Sequence, residues 1–397
     1  MKIAILTCGI LPLPAVQGGA VENLIDFYLE YNDRHHLHDI TVYSPRDSRV
    51  VSHPALISKN NHYVFIDVTS LKAKIARKIY GYLHHNEYYN HFIEYYFEKV
   101  YSRLKHDHFD LIILENSVGY VVKLSQRGFK NIILHLHNDL LNSDSRYHEI
   151  VANNLTKVLT VSDYIKKRVA TIIPESKIQT VHNGIDLKNF SSKVSTIMNR
   201  KQMGFSEEDF VMIYSGRINQ EKGVSELIDA MLSIKDVPNI KLMIIGGSFF
   251  GNTNSDDDFI LSLKDKAKVI ESRIVFTGFI SYDKMPDYYQ LADIAVIPSI
   301  WNDPFPTTEL EAQATGLPII TTVRGGIPEE VSEKNAILLE TDEHFVNNLA
   351  DAILDLYNHP DKRKQMSKAS VERAKIFDKE TYAENFFVAI EDIKKND

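Results

Sequence analysis

The sequence predicts an α/β protein made of two Rossmann-like domains whose parallel sheets face each other across a cleft. Three observations lead there. Short apolar runs alternate with amphipathic helical stretches, the pattern of βαβ units. The alternation pauses at Asn183-Gly184-Ile185-Asp186, a turn signal followed by a polar segment to about Arg200, and then starts again. A chain of 397 residues is also longer than one ordinary core needs.

In order, the first strand covers 2–8. Its start resembles a signal peptide, but Thr7, Cys8, Gly9 and two prolines interrupt the apolar run, so a buried strand is the better reading. Further apolar runs predict strands at 39–44, 62–68, 110–116, 131–138, 157–162 and 178–183. Helical periodicity places helices near 20–32, 71–105, 118–127, 147–155 and 163–171. After the pause come strands at 210–216, 240–247, 274–278, 294–299, 318–322 and 335–340. Between them lie helices near 223–235, 256–270, 283–292 and 308–316, with helical stretches from 342 to 394. The expected domains are 1–190 and 191–376, followed by a C-terminal helical segment, 377–397.

Hydrophobic content of 44% and charged content of 25% fit a soluble globular protein. The single cysteine, Cys8, excludes an internal disulfide and fits a reducing, cytoplasmic setting, and no run is apolar enough to span a bilayer. Charge is uneven. Residues 1–190 carry 22 Lys+Arg against 19 Asp+Glu, the remainder 23 against 34, and fourteen of the 16 histidines lie in the first part. The first domain is therefore the better suited to an anionic partner.

Several residue groups suggest chemistry. Asp303 and Glu311 are separated by seven residues, after the strand at 294–299 and at the start of a helix. Ligands of open α/β sheets bind beyond the carboxyl ends of the strands, and ionised carboxylates accept from paired hydroxyls. Thr308-x-x-Glu311 is equally a capping box, so the pair alone leaves both readings open. Gly216, Arg217, Lys222 and Gly223 follow a strand and open a helix, which suits a diphosphate. Neither a Walker loop nor a Gly-x-Gly-x-x-Gly after the first strand is present. Gly18-Gly19, Gly246-Gly247 and Gly325-Gly326 stand at strand ends, where backbone can approach a ligand or simply turn. Gly246-Gly247 reads mainly as a turn. His135 and His137 share one face of a strand, but no nearby carboxylate or cysteine completes a metal site convincingly. Asp256-Asp257-Asp258 reads as a solvated loop and helix cap. The stretch 72–101 sets Lys72, Lys74, Arg77 and Lys78 beside a tyrosine-rich face, which could rest on an anionic membrane or pack in the core.

Together these motifs resemble the retaining nucleotide-sugar glycosyltransferases of the GT-B fold, in the group with a Glu-x7-Glu motif (glycosyl transferases group 1, family 4). The resemblance runs nearly end to end: Gly18-Gly19, His137, Val161-Ser162-Asp163-Tyr164-Ile165, Val181-His182-Asn183-Gly184-Ile185-Asp186, Gly216-Arg217 with Lys222-Gly223, Thr277-Gly278-Phe279, Glu311-Ala312, Gly316-Leu317-Pro318 and Gly325-Gly326-Ile327-Pro328-Glu329. It implies an acceptor-binding first domain, a nucleotide-sugar-binding second domain and a last helix, 378–394, that crosses back to the first. It implies catalytic roles for His137, Arg217, Lys222, Asp303 and Glu311. Donor contacts would come from Gly18, Gly19, Gly216, Phe279, Phe305, Pro306, Thr307, Thr308 and Glu311. No metal and no cofactor are implied, the nucleotide sugar being a co-substrate. Two departures stand out: Asp303 replaces the usual Glu, and Pro306 replaces a usual glycine, removing one N–H.

The expected activity is transfer of a hexosyl unit from a UDP-linked sugar to a saccharide or lipid-linked acceptor in glycan or cell-surface polysaccharide synthesis. The expected location is the cytoplasm, with peripheral contact at the inner membrane face through 72–101, and no nucleic-acid partner. Other classes to weigh are a sugar-nucleotide epimerase of the same fold and a non-catalytic nucleotide-sugar-binding partner of another transferase.

Overall fold

The computed structural model describes residues 1–85, 88–191, 198–248 and 256–392. The chain forms two units, Met1–His182 with the C-terminal residues from Glu380, and Asn183–Lys379.

The N-terminal unit contains β1 (Lys2–Leu6), α1 (Ala20–His35), β2 (Asp39–Pro45), β3 (Asn61–Ile66), α2 (Leu71–Leu83), α3 (His91–Leu104), β4 (Leu111–Glu115), α4 (Val118–Gln126), β5 (Ile132–Leu136), α5 (His148–Asn154), β6 (Lys157–Thr160), α6 (Asp163–Val169) and β7 (Ile178–Thr180). The C-terminal unit contains β8 (Phe210–Ser215), α7 (Val224–Ser233), β9 (Ile240–Ile245), α8 (Asp258–Ala267), β10 (Ile274–Gly278), α9 (Met285–Tyr289), β11 (Ile294–Ile297), α10 (Thr307–Ala314), β12 (Ile319–Thr322), α11 (Ile327–Glu330), β13 (Ala336–Leu339), α12 (Phe345–Asn358) and α13 (Pro360–Ala374). The last helix, α14 (Lys379–Glu391), joins the first unit from Glu380 onward.

Each unit holds one wholly parallel sheet. The orders are β3-β2-β1-β4-β5-β6-β7 and β10-β9-β8-β11-β12-β13. In each, the chain reverses direction across the sheet beside the first strand of the unit, at β1/β4 and at β8/β11. Those switch points leave a crevice beyond the strand ends, where such sheets bind ligands. The central strands β1, β4, β8 and β11 are buried on both faces, in keeping with their largely apolar sequences, while the edge strands β3, β7, β10 and β13 are only partly buried. Ile3, Ile5, Tyr28, Ile113 and Ile133 centre the first core, and Met212, Leu227, Met231, Leu242 and Ile353 the second.

α14 completes the first core. Phe386 stacks on Tyr28 with ring centroids 4.0 Å apart, and Phe387 and Tyr382 join the same cluster. Arg34 pairs with Glu380 at 2.6 Å, and Lys157 Nζ donates to the Ala389 carbonyl at 2.7 Å. The end of the helical stretch expected to reach 394 lies outside the described residues.

The structure corrects the long helix expected at 71–105, which is two. α2 is capped by Ser70 and α3 by Asn90, whose Oδ1 accepts from the N–H groups of Phe92 and Ile93. The tyrosine-rich face divides with them. Tyr95, Tyr96 and Phe97 of α3 are buried, so those aromatics are core. α2 buries only Ala73 and exposes Leu71, Ile75, Ile79, Tyr82 and Leu83. Positions 71, 75, 79 and 82 recur at helical spacing and form one apolar stripe. Among the described residues, no helix is long and apolar enough to cross a membrane.

Candidate functional site

In the C-terminal unit, β8 delivers Ser215 to the switch point and Gly216 turns the chain outward. The N–H groups of Gly216 and Ile218 bond the carbonyls of Ile245 and Gly247, which fixes the exposed Arg217 between them. A single 3₁₀ turn, Gln220–Lys222, then leads into α7 through Gly223, whose φ is +69°. A side chain there would collide with the Pro298 carbonyl, so only glycine lets this turn seat against the end of β11. The Ile300 N–H bonds the Glu221 carbonyl at 3.0 Å and closes the seam.

From that turn Lys222 reaches Asp303 and forms an ion pair, Nζ to Oδ2, with side-chain exposures of 17% and 7%. The ammonium also lies 5.5 Å from the Trp301 ring centroid. Asp303 is held from behind by the third glycine pair. Gly326 N–H bonds the Asp303 carbonyl at 2.8 Å, and Gly325, with φ +59°, packs so closely that a β-carbon would strike the Asp303 backbone.

The carboxylate Glu311 stands two positions deeper in α10 than a capping box at Thr308 requires. Pro306 is the N-cap, so Thr307 opens the helix and Glu311 is its fifth residue. The capping box is thereby excluded: no side chain caps α10. The N–H groups of Thr307 and Thr308 are left without intrahelical acceptors. Glu311 Oε2 accepts from the Tyr289 hydroxyl at 2.8 Å, and that hydroxyl meets Ser215 Oγ at 2.5 Å. Burial pushes the Glu311 carboxyl up to about 8.

Arg217, Lys222, Asp303 and Glu311 thus come from the loops and helix around one switch point. Of the other expected contacts, Phe279 follows β10 and is partly exposed. The Phe305 ring is buried against Phe377, while its carbonyl accepts from Asn183 Nδ2 at 2.9 Å. Asp257 caps α8 by accepting from the Ile260 N–H, as expected for an acidic loop.

Two carboxyls behind the site are not apparent from sequence motifs. Glu309 is fully buried and bonds Thr321 Oγ1 at 2.5 Å, and burial pushes it up to about 8. Glu330 is fully buried, neither of its oxygens is hydrogen-bonded, and burial raises it well above the carboxylate range.

In the N-terminal unit, Gly18 and Gly19 precede α1, and Gly19 is an N-cap without a side-chain bond, leaving that helix start open. Glu22 lies close beneath Gly19, and burial pushes its carboxyl up to about 7. His137 follows β5; its N–H donates to Asn116 Oδ1 at 3.2 Å and its ring to Glu115 at 2.8 Å. Glu115 overturns the expectation that no carboxylate accompanies the two histidines. It ends the neighbouring strand β4, directly opposite His135. Glu115, His135 and His137 have ligand-type atoms within 4.8 Å of one another and could hold a cation. Burial would raise Glu115, but the two imidazoles hold it below the carboxylate range. Burial pushes His137 down to about 4.

Comparison with known proteins agrees with this architecture. Residues 196–373 match the family model Glycosyl transferases group 1, and residues 18–189 match Glycosyltransferase Family 4. Spore coat protein SA of Bacillus subtilis (strain 168) is 27% identical over 383 residues, 93% of each chain. Putative glycosyltransferase YtcC of the same organism is 30% identical over 376 residues, 91% of this chain and 81% of that one. Among solved structures, sucrose-phosphate synthase from Thermosynechococcus elongatus superposes with a TM-score of 0.77 at 18% identity, covering 100% of both chains. Anabaena HepE in complex with UDP and glucose does so with 0.74 at 20% identity, covering 99% of this chain and 100% of that one. The likeness to these structures establishes the fold as GT-B. With matches to both family models and a relative of this identity along nearly its whole length, the chain belongs to the group 1, family 4 glycosyltransferases.

Proposed function

We propose that this glycosyltransferase is a retaining, metal-independent enzyme that moves a hexosyl unit from a UDP-linked sugar to a saccharide or lipid-linked acceptor in glycan or cell-surface polysaccharide synthesis. The observation that carries the reading is the gathering of Arg217, Lys222, Asp303 and Glu311 at the β8/β11 switch point. Two cations and the open start of α10 supply the charge that a departing diphosphate needs, without a metal. In this reading Arg217 and Lys222 stabilise the leaving group, and Gly216 with the backbone of Phe305 to Thr308 lines the phosphate path. Glu311 takes the ribose hydroxyls, and Phe279 borders the base. Asp303 and His137 contact the donor sugar, and the open start of α1 at Gly18-Gly19 meets its phosphates. The leaving phosphate takes the acceptor's proton, so no protein nucleophile is assigned.

HepE was solved with UDP and glucose, which makes UDP-glucose the first donor to test. One relative is a lipopolysaccharide 1,2-N-acetylglucosaminetransferase, which supports a saccharide of the cell surface as acceptor. The stripe on α2, with Lys72, Lys74, Arg77 and Lys78 on the same helix, supports peripheral contact of a cytoplasmic protein with an anionic bilayer. The test is product analysis with a panel of UDP, GDP and dTDP sugars and no acceptor. Slow release of free UDP is expected. Epimerised donor would replace this reading with an epimerase, and donor binding with no turnover, even with saccharide acceptors, would replace it with a non-catalytic partner.

A further inference from the structure

Glu115 is the last residue of an otherwise apolar strand, and three donors converge on its carboxylate. Oε1 accepts from the Tyr28 hydroxyl at 2.9 Å. Oε2 lies 2.8 Å from His137 Nε2 and 3.1 Å from His135 Nδ1. All four side chains are buried, and Phe386 of α14 lies over Tyr28 and 5.6 Å from the His135 ring. The other ring nitrogens, His135 Nε2 and His137 Nδ1, are buried and have no hydrogen-bond partner in the structure.

An ionised carboxylate only accepts hydrogen bonds. Each imidazole must therefore carry its proton on the nitrogen that faces Glu115. For His135 that is Nδ1 and for His137 it is Nε2. Two histidines two residues apart thus face one carboxylate through different ring nitrogens, His135 through Nδ1 and His137 through Nε2.

We propose that Glu115 is a positioning residue that fixes His137 as the Nε2–H tautomer and holds its ring in place at the end of β5. Tyr28 and His135 take two further acceptor sites of Glu115 and fix its plane. The inference rests on the reading of His137 as a donor-sugar contact, and it names the residue that orients that ring. A cation held by the same three residues is the competing arrangement. It would replace the protons on His135 Nδ1 and His137 Nε2.

Long-range ¹H–¹⁵N correlation spectra of histidine-labelled protein, assigned with His135→Gln and His137→Gln, read the tautomers directly. The expected result is Nδ1–H at His135 and Nε2–H at His137, unchanged by EDTA. Either ring in the other tautomer, or resonances that move on chelation, would overturn the proposal without any variant being needed. Glu115→Gln is the second arm. A carboxamide has one acceptor oxygen and an obligatory donor, so it cannot accept from Tyr28 and both rings. At least one tautomer should change. UDP affinity should stay within about twofold, and turnover of the UDP-sugar found active in the donor panel should fall roughly a hundredfold. An unchanged His137 tautomer with unchanged turnover would refute the positioning role. If instead the tautomers are as expected but His137→Ala turns over like wild type, it is the donor-contact reading of His137 that fails.

Discussion

Lys222 and Asp303 are ion-paired, joining the loop after β8 to the loop after β11. The cation assigned to the leaving phosphate is thus engaged by the carboxylate assigned to the sugar. In the proposed reading a diphosphate competes with Asp303 for this ammonium, coupling arrival of the donor to release of Asp303. The short side chain at 303 fits this role, since the Gly325-Gly326 turn holds its backbone in place.

Lys222→Ala should lower turnover by roughly a hundredfold or more, because the lost interaction is one made to developing charge. It also leaves Asp303 buried without its partner, so the melting temperature should drop. Adding Asp303→Asn should restore the melting temperature and leave turnover low. Nucleotide release and calorimetry on the two variants check this; wild-type turnover in a folded Lys222→Ala protein would remove Lys222 from the clamp.

Metal independence is expected from the same charges. Turnover should survive EDTA, and metal analysis of the purified protein should show less than stoichiometric zinc, manganese or magnesium. Loss of activity reversed only by added manganese or magnesium would contradict the proposed chemistry.

Glu311 gives a prediction with a definite sign in pH. Its native value of about 8 lies above the ordinary value of 4.5, as does that of Glu309. The native state therefore keeps protons that the unfolded chain has released, and this contribution to stability is full below about 4.5 and lost as pH rises through about 8. The melting temperature should fall between pH 6 and 9, and Glu311→Gln should make the fall shallower. Donor binding should run the other way. Ribose hydroxyls select the carboxylate, so affinity should strengthen through pH 8, and binding at pH 7 should release a proton. Titration calorimetry in buffers of different ionisation enthalpy measures that release. Because no cap is lost, Glu311→Gln at pH 7 should keep its melting temperature while losing most of its donor affinity; flat affinity from pH 6 to 9 with no proton release would take Glu311 out of the ribose site.

The sheets were legible because parallel strands buried on both faces are written as unbroken apolar runs, such as Ile294–Ile297 and residues 242–245. Arg217 and Lys222 were legible because a strand, a glycine turn and a helix start must follow one another in sequence. Partners from separate elements were not. Tyr289, which bonds Glu311, sits twenty-two residues before it, on another helix. Glu115 meets His135 only through the register of β4 against β5, and its one local signal is a charged residue closing Leu111-Ile112-Ile113-Leu114. The break between α2 and α3 was missed because hydrophobic period continues through it, although Asn90 is a good N-cap.

Membrane contact, if the acceptor is lipid-linked, should run through α2. Thirteen residues carry Lys72, Lys74, Arg77 and Lys78 with no acidic side chain, and an exposed stripe of Leu71, Ile75, Ile79 and Tyr82. An apolar stripe in a basic helix suits an anionic interface, where acyl contact adds to charge attraction. Tyr95 and Tyr96 of α3 take no part, since both are buried. The two contributions separate by experiment. Replacing the four cations by Ser should weaken sedimentation with anionic vesicles and reduce its dependence on salt. Replacing Leu71, Ile75 and Ile79 by Ser should weaken sedimentation while leaving the salt dependence in place. Both variants should release UDP from donor in solution at the wild-type rate, because α2 lies apart in sequence from every residue assigned to the donor. If wild-type protein stays in the supernatant with anionic vesicles at low salt, the stripe is not a membrane contact, and a soluble saccharide becomes the acceptor to test.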